Sequence, residues 1–467
     1  MQPNDPLLLP SHLVEVRSPF RLPTLIAYCF MPAHRPAQSL APVDFYRAAQ
    51  PALDSARAAV QQPRVGGQAW QVSDIIDHRG YQYVDLVMEG GGVLGIALVG
   101  YVYVLEQLGV RFLQLGGTSA GSINAMLMAA AGPVWDAKTE WLLTQLAAQD
   151  LYAFVDGDDD ARDFVEVVLE NGRLLKYFWK GAQVVDNFTE DLGLNPGHVF
   201  HAWVRGLLDE RGIRSVADLN RLRTLAPVDG LRLRDGTPYA PGQPVRVAVV
   251  AADVTTESKA VFPEMAHLYY AQPEQVHPAD FVRASMSIPF FFWPHTVSPL
   301  PGAGQPGGAL WQDATGYCGL VPETVHFLDG GIMSNFPIDL FHQHYRVPNC
   351  PTLGIKLGLN RSRPNQLTKF TKLIGAMFDA ARHVHDYDFI KRNPDFRLLV
   401  SYAETDQFNW LDFGLSDATK LELFAKGAAA AAKFVADFDW PGYRTLRQEM
   451  IKAYQMTDAM RPATGLT

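Results

Sequence analysis

The sequence predicts an α/β fold: a mainly parallel central sheet between helical layers, with a helical insertion. Three observations carry that expectation. Tyr83-Val-Asp-Leu-Val-Met88 and Phe112–Leu115 are strand-like runs, each followed by a glycine-rich turn and then a mostly apolar helical stretch, Ile96–Leu108 and Ser122–Ala131. Strand, turn and helix, repeated within about 50 residues, opens a parallel sheet, because parallel neighbours need a crossover connection. Strand character then returns at Val245–Ala252, Val325–Leu328 and Thr352–Lys356.

In chain order, residues 1–80 are rich in Pro and Ala with weak periodicity, and are expected to form an extension wrapped on the main domain, with short helices near Pro42–Gln61. The main domain is expected over residues 81–440. Within it, about 135–225 is polar and helical in pattern, with loops at Asp156–Asp160 and Gly193–Gly197, which suits an insertion over the sheet. Pro301–Gly308 is a Pro/Gly loop. After Asn360 the pattern is helical, with Ser416-Asp417 as a helix start before Ala418–Phe438. The consecutive alanines Ala428–Ala432 fit close helix packing. Residues 441–467 form a C-terminal tail.

Composition narrows the function classes. The 467 residues carry 40 basic and 49 acidic side chains, a net charge of -9, which disfavours a nucleic-acid binder with its concentrated basic face. Contact with a membrane surface through apolar side chains or a local basic patch is left open. Cys29, Cys318 and Cys350 are odd in number and far apart, so a reducing, cytoplasmic compartment is the expectation. Met1–Pro10 lacks a basic segment followed by a sustained apolar run, so no secretory leader is expected, although export without a cleavable signal stays open. The longest apolar stretches, Leu94–Leu105 and Ile123–Ala131, fall short of the roughly 20 residues that span a bilayer.

Three motifs carry chemistry. Gly117-Thr118-Ser119-Ala120-Gly121 is a G-x-S-x-G sequence between a strand and a helix. A nucleophilic serine benefits from such a turn, because a strained backbone lifts its hydroxyl clear of the sheet and flanking glycines let chain segments approach. The alternative is a tight turn in which Ser119 caps the helix. Glu89-Gly90-Gly91-Gly92-Val93-Leu94-Gly95 also reads as G-x-G-x-x-G, a dinucleotide fingerprint. That reading fails its own test, since the second strand ends in Gly-Gly-Thr-Ser and not in the acidic residue that would hold a ribose. Nor does Gly-Lys-Ser/Thr follow, as a P-loop requires. Three successive glycines instead suit a loop whose bare N–H groups converge on an oxyanion. Phe327-Leu328-Asp329-Gly330-Gly331 is an apolar strand ending in an acid; Asp329 could accept the Ser119 proton directly, or be a solvated turn residue.

Taken together these motifs resemble the patatin-like phospholipase family, which carries a G-G-G-x-R/K-G loop, a G-x-S-x-G elbow and a D-G-G/A motif in this order. Ala284-Ser285-Met286-Ser287-Ile288-Pro289 matches the family's A-S-x-S-x-P segment, with Arg283 before it, and Ser334-Asn335-Phe336-Pro337 after Asp329 is also family-like. So is Gly197-His198-Val199-Phe200 through Ala217-Asp218-Leu219 in the insertion. The resemblance covers about residues 83–440. It implies a three-layer α/β/α fold and a catalytic dyad of Ser119 and Asp329. Oxyanion N–H groups would come from Gly90, Gly91 and Gly92, and no metal or cofactor is needed. The implied activity is hydrolysis of fatty-acyl esters, of phospholipase A or lysophospholipase type, through an acyl-enzyme. One departure is Leu94, where the family usually has Arg or Lys; it bears on loop anchoring, rate and headgroup choice.

Other candidates stay in view. A Ser…Asp…His triad can be written with His342, His344, His383 or His385. The same histidines invite a metal reading, but i,i+2 spacing on a helix divides ligands between faces. Asp156-Gly-Asp158-Asp159-Asp160 begins like a calcium loop yet lacks the later Gly and Glu, so an acidic helix start fits better. Phe290–Trp293 suits core packing, with lipid contact as the alternative. Arg205, Arg211, Arg214, Arg221 and Arg223, interleaved with acids, read as a solvated helix face. An acyltransferase or thioesterase using the same dyad, a small-ester esterase and a catalytically silent lipid-binding module remain as alternative functions.

Overall fold

The computed structural model describes residues 40–460 apart from 64–66, 68, 158–191, 344, 359–363, 365–379 and 381–388; for 456–460 it describes the backbone alone. The chain divides into two units, Met1–Ser39 and Leu40–Thr467, and everything below concerns the second.

The first helix, α1 (Pro42–Gln61), is one continuous element. A short strand, β1 (Ile75–Ile76), leads to β2 (Gln82–Met88), α2 (Ile96–Gln107), β3 (Val110–Thr118) and α3 (Ala120–Ala130), the expected strand-helix repeat. The described part of the insertion holds α4 (Thr139–Ala148), β4 (Gly193–Asn195), α5 (His198–Glu210) and α6 (Val216–Thr224). Two short strands, β5 (Leu231–Leu233) and β6 (Pro238–Tyr239), precede the hairpin of β7 (Val247–Asp253) and β8 (Ser258–Phe262). Next come α7 (Pro278–Ser285), β9 (Phe290–Phe292), β10 (His295–Val297) and β11 (Val325–Asp329). The chain continues through β12 (Thr352–Leu357), β13 (Val400–Ala403), α8 (Asp417–Asp437) and α9 (Trp440–Met460).

Five strands form the parallel centre of the sheet in the order β13-β12-β2-β3-β7. Strand β2 is buried along its whole length, as parallel strands covered on both faces are. Consecutive residues of β3 mark the two layers beside it. A Cβ on Gly117 would lie 2.4 Å from the Gly121 backbone in α3, whereas one on Gly116 would meet Leu340 at 2.9 Å and Phe341 at 3.2 Å on the other side.

Helix α8 packs across α2 and α1. The α2–α8 crossing is a backbone contact: a Cβ on Gly427 would sit 1.7 Å from the Ala97 carbonyl oxygen, and one on Gly100 would sit 2.0 Å from that of Phe424. Ser416 caps α8 by accepting from Thr419 N–H, as its sequence position suggests. Helix α1 joins the core through Phe45, whose ring meets Phe424 edge-on at 5.2 Å.

Some expectations shift in detail. Strand β13 lies in a stretch that reads as helical; four residues beside a parallel neighbour give too short a pattern to register. The insertion is helical in α4, α5 and α6, but β4 pairs with β9 and so ties it to the Phe290–Trp293 run. Within that run Phe291 and Phe292 are buried while Phe290 is half exposed. The acidic helix start expected at Asp156–Asp160 falls at residues 158–160, outside the described residues; the Asp156 carboxylate itself accepts from Gly197 and Val199 N–H at the start of α5. Arg223 is buried and donates to the Leu113 carbonyl, so it does not share the solvated face of Arg214 and Arg221. No helix among the described residues is long and apolar enough to cross a membrane.

Candidate active site

Ser119 is the single residue between β3 and α3, with φ 53° and ψ −122°. A side chain at positive φ in this region costs about 1–3 kcal/mol and persists only where its surroundings enforce it. Several contacts do so here. The Ser119 N–H donates to Ser285 Oγ at 2.9 Å, and Ser285 Oγ donates to the Val250 carbonyl at 2.5 Å. The Ser119 carbonyl accepts from Ser122 Oγ at 2.6 Å and from the N–H groups of Ser122 and Ile123. The turn fits only because Gly121 lacks a side chain, which would come 2.1 Å from the Met88 carbonyl oxygen. Ser119 is 2% exposed, and its Oγ donates to Met286 Sδ at 3.3 Å.

The glycine loop follows β2, the neighbour of β3, and lies against this turn. A Cβ on Gly90 would stand 3.0 Å from Ser119 Cβ and 2.4 Å from Asn335 Oδ1. Gly92 has φ +52°, and a Cβ there would be 2.2 Å from the Trp410 carbonyl oxygen. A Cβ on Gly91 would meet the end of the Leu357 side chain at 2.6 Å. The Gly90 N–H donates to the Asn335 carbonyl at 3.0 Å, so Gly90 contributes close approach. Leu94 is buried in the short helical turn that follows, its N–H on the Gly91 carbonyl.

Asp329 reaches the same place from the opposite direction. Strand β3 pairs in parallel with Val247–Val250 of β7, and β11 pairs antiparallel with Ala251–Asp253. The other edge of β7 is taken by β8 along Val249–Asp253. Thus β3 and β11 share one edge of β7 and their C-terminal ends meet head to head, Thr118 opposite Val250 and Asp329 opposite Ala251. Asp329 stands at the end of its strand, as expected; that strand is antiparallel to β7, and the split edge sets its end against the end of β3 that precedes Ser119. Glycine at 330 is required at this junction, where a Cβ would lie 2.1 Å from the Val250 carbonyl oxygen and 3.0 Å from Thr118 Cγ2. Asp329 is 7% exposed, and its Oδ1 accepts from Gly331 N–H at 2.7 Å.

The last turn of α7 and the residues after it clamp both ends. Ser285 holds Ser119 as above, its carbonyl accepts from Gly330 N–H at 3.3 Å, and the Ser287 carbonyl accepts from Asp329 N–H at 2.8 Å. Arg283, 6% exposed, donates to Ser287 Oγ at 2.6 Å and to the Pro196 and Trp293 carbonyls at 2.8 Å each. Burial pulls its guanidinium down to about 10, which leaves it charged at neutral pH. Burial, then the neighbouring Arg283 charge, holds His295 at about 4, so that ring is neutral beside it.

An apolar cleft of about 90 Å³ opens beside Ser119, lined by Gly92, Ala120, Met286, Leu127, Phe200 and Phe413 among others. Phe413 is stacked on Phe291 at 4.9 Å between ring centroids. Its lining is mostly apolar, with Asn124 and Gln145 as polar members.

Several participants were not assigned a role by sequence reading. Ser285 and Met286 lie in a segment picked out by resemblance, but their contacts with Ser119 come from the fold. Glu89, a carboxylate directly before the glycine loop at the end of an apolar strand, was a visible signal. Its partner Asn335 lies in the family-like Ser334–Pro337 segment, whereas its partner Lys356, and Trp410 against Gly92, had no signal. His342 packs among Phe396 and Phe389, at 4.6 and 6.1 Å. His344, His383 and His385 lie outside the described residues.

Comparisons with known proteins bear on this arrangement. The chain is 28% identical over 363 residues to the uncharacterized protein YqhO of Bacillus subtilis (strain 168), covering 77% of this chain and all of that protein. Among solved structures it is similar to VipD from Legionella pneumophila, with 14% identity, TM-score 0.36, and 81% of this chain against 72% of that one. The ExoU–SpcU complex of Pseudomonas aeruginosa aligns with 14% identity and TM-score 0.31, over 81% of this chain and 60% of that one. The family model for patatin-like phospholipase matches residues 86–342, more than half of the chain and a span that contains the glycine loop, Ser119 and Asp329. The chain belongs to the patatin-like phospholipase family.

Proposed function

We propose that this protein is a lipid acyl hydrolase of phospholipase A or lysophospholipase type that works through a Ser119–Asp329 dyad. The observation that carries the reading is the shared edge of β7, along which the elbow serine and the strand-end aspartate meet head to head. In the proposed reaction the ester's acyl chain lies in the apolar cleft. Ser119 Oγ leaves Met286 Sδ and attacks the carbonyl carbon while Asp329 takes its proton. The N–H groups of Gly91 and Gly92 face the oxyanion of the tetrahedral intermediate, and Gly90 provides the close approach. Collapse breaks the ester C–O bond, and Asp329 returns the proton to the departing alcohol. Water, deprotonated by Asp329, then attacks the acyl-enzyme, and the fatty acid departs with Ser119 reprotonated.

We assign residues 81–440 to the catalytic domain, with 135–225 as its insertion. The half-exposed pair Leu192 and Phe290, brought together by the β4–β9 ribbon, is proposed to touch a lipid surface. The test is fatty-acid release from phosphatidylcholine vesicles by the natural sequence, Ser119→Ala and Asp329→Asn. Release by the natural sequence alone supports the dyad. Vesicle binding without release by all three would sink the enzyme reading in favour of a silent lipid-binding module.

A further inference from the structure

The glycine loop is anchored from behind by a buried ion pair. Glu89, the last residue before Gly90, is 2% exposed, and its Oε1 accepts from Lys356 Nζ at 2.9 Å and from Asn335 Nδ2 at 3.2 Å. Its Oε2 accepts from Leu357 N–H at 2.5 Å. Asn335 closes the bracket, donating from Nδ2 to the Gly90 carbonyl at 3.2 Å and accepting the Gly90 N–H at 3.0 Å. The Lys356 ammonium, on a side chain only 9% exposed, also lies 4.7 Å over the Phe336 ring.

A tie between β2 and β12 does not need these charges, because the backbone ladder already joins the strands and continues through Glu89 N–H on the Ile355 carbonyl. A buried charge pair is at best a weak source of net stability, so a structural purpose alone explains it poorly. What it touches is the loop. Residues Gly90–Gly95 contain no basic side chain, and position 94 is a buried leucine. Gly90 has no slack either, since the space above its Cα is filled by Ser119 Cβ and Asn335 Oδ1.

We propose that Lys356, acting through Glu89 and Asn335, is a positioning residue that fixes the Gly90–Gly92 loop at its height over Ser119; the inference rests on the acyl-transfer reading above. The assay is hydrolysis of a soluble p-nitrophenyl ester, with functional sites counted by stoichiometric fluorophosphonate labelling of Ser119.

Lys356→Met leaves the Glu89 carboxylate without its cation. It is expected to lower kcat per labelled site by about 100-fold, the size of effect that a misplacement near 1 Å produces, with KM little changed. Glu89→Gln/Lys356→Met removes both charges, keeps an amide acceptor for Asn335, and is expected to regain most of that loss. Should Lys356→Met not fold, Asn335→Ser cuts the bracket without unpairing a charge and carries the same expectation for kcat. An unchanged kcat per site alongside lowered thermal stability overturns the proposal, as does an equal loss in the single and double variants. If the natural sequence neither labels at Ser119 nor turns over ester, the functional reading fails first and this inference falls with it.

Discussion

Replacing Ser119 by glycine and by alanine separates the strain of the elbow from its chemistry. At φ 53° and ψ −122° the serine occupies a region open to glycine and costly for any residue with a Cβ. Ser119→Gly therefore releases about 1–3 kcal/mol of strain, whereas Ser119→Ala keeps it. Both lose the Oγ contact with Met286 Sδ, so it cancels in the comparison. Glycine's extra unfolded-state entropy offsets roughly 0.5–1 kcal/mol of the gain. At about 2 cal/mol/K of unfolding entropy per residue, this chain length gives about 1 kcal/mol per degree at the midpoint. The glycine variant should thus melt about 1–2 °C above the alanine variant. Calorimetry at matched pH resolves that gap. Both variants should lack ester hydrolysis. Equal melting temperatures, or alanine above glycine, would refute the view that the fold holds strain at Ser119.

Further outcomes follow from other contacts. Gly427→Ala gains about 1 kcal/mol of helix propensity but forces a Cβ toward the Ala97 carbonyl, and the α2–α8 crossing should lose about 2 kcal/mol or more net by urea denaturation. Ile123→Trp, in the cleft wall, should lower turnover of long acyl esters at least about tenfold relative to acetyl esters, a pocket-volume effect of 1–3 kcal/mol; parallel losses on both would dissociate the cleft from acyl binding. Burial raises the Asp85 carboxyl to about 7 against hydrogen bonds from Gln114 that lower it. Its folded pKa lies above its unfolded one, so its contribution to stability is fully present below about pH 4 and is lost as pH rises through about 7. The shift of about 3 units corresponds to an upper bound on the order of 4 kcal/mol. Asp85→Asn should flatten that part of the stability profile, and an unchanged difference between the two proteins from pH 4 to 8 would refute it.

The linear order of residues was enough for the parts of this protein that are local. Apolar runs of strand length, a glycine turn after each and a helical stretch beyond determined the parallel opening. The tripeptide Gly90–Gly92, the Gly117–Gly121 elbow and Asp329-Gly330 were legible because close approach of chain segments favours glycine. Long-range geometry was not legible. No local pattern says that β11 runs antiparallel and shares an edge of β7 with β3, since strand direction is set by partners distant in sequence. Nor does one say that Ser285 takes the Ser119 N–H, or that Lys356 pairs with Glu89 beneath the loop. Those contacts join residues that are 166 and 267 positions apart, and folding alone decides which buried donor finds which acceptor, because each must be paired once water is excluded.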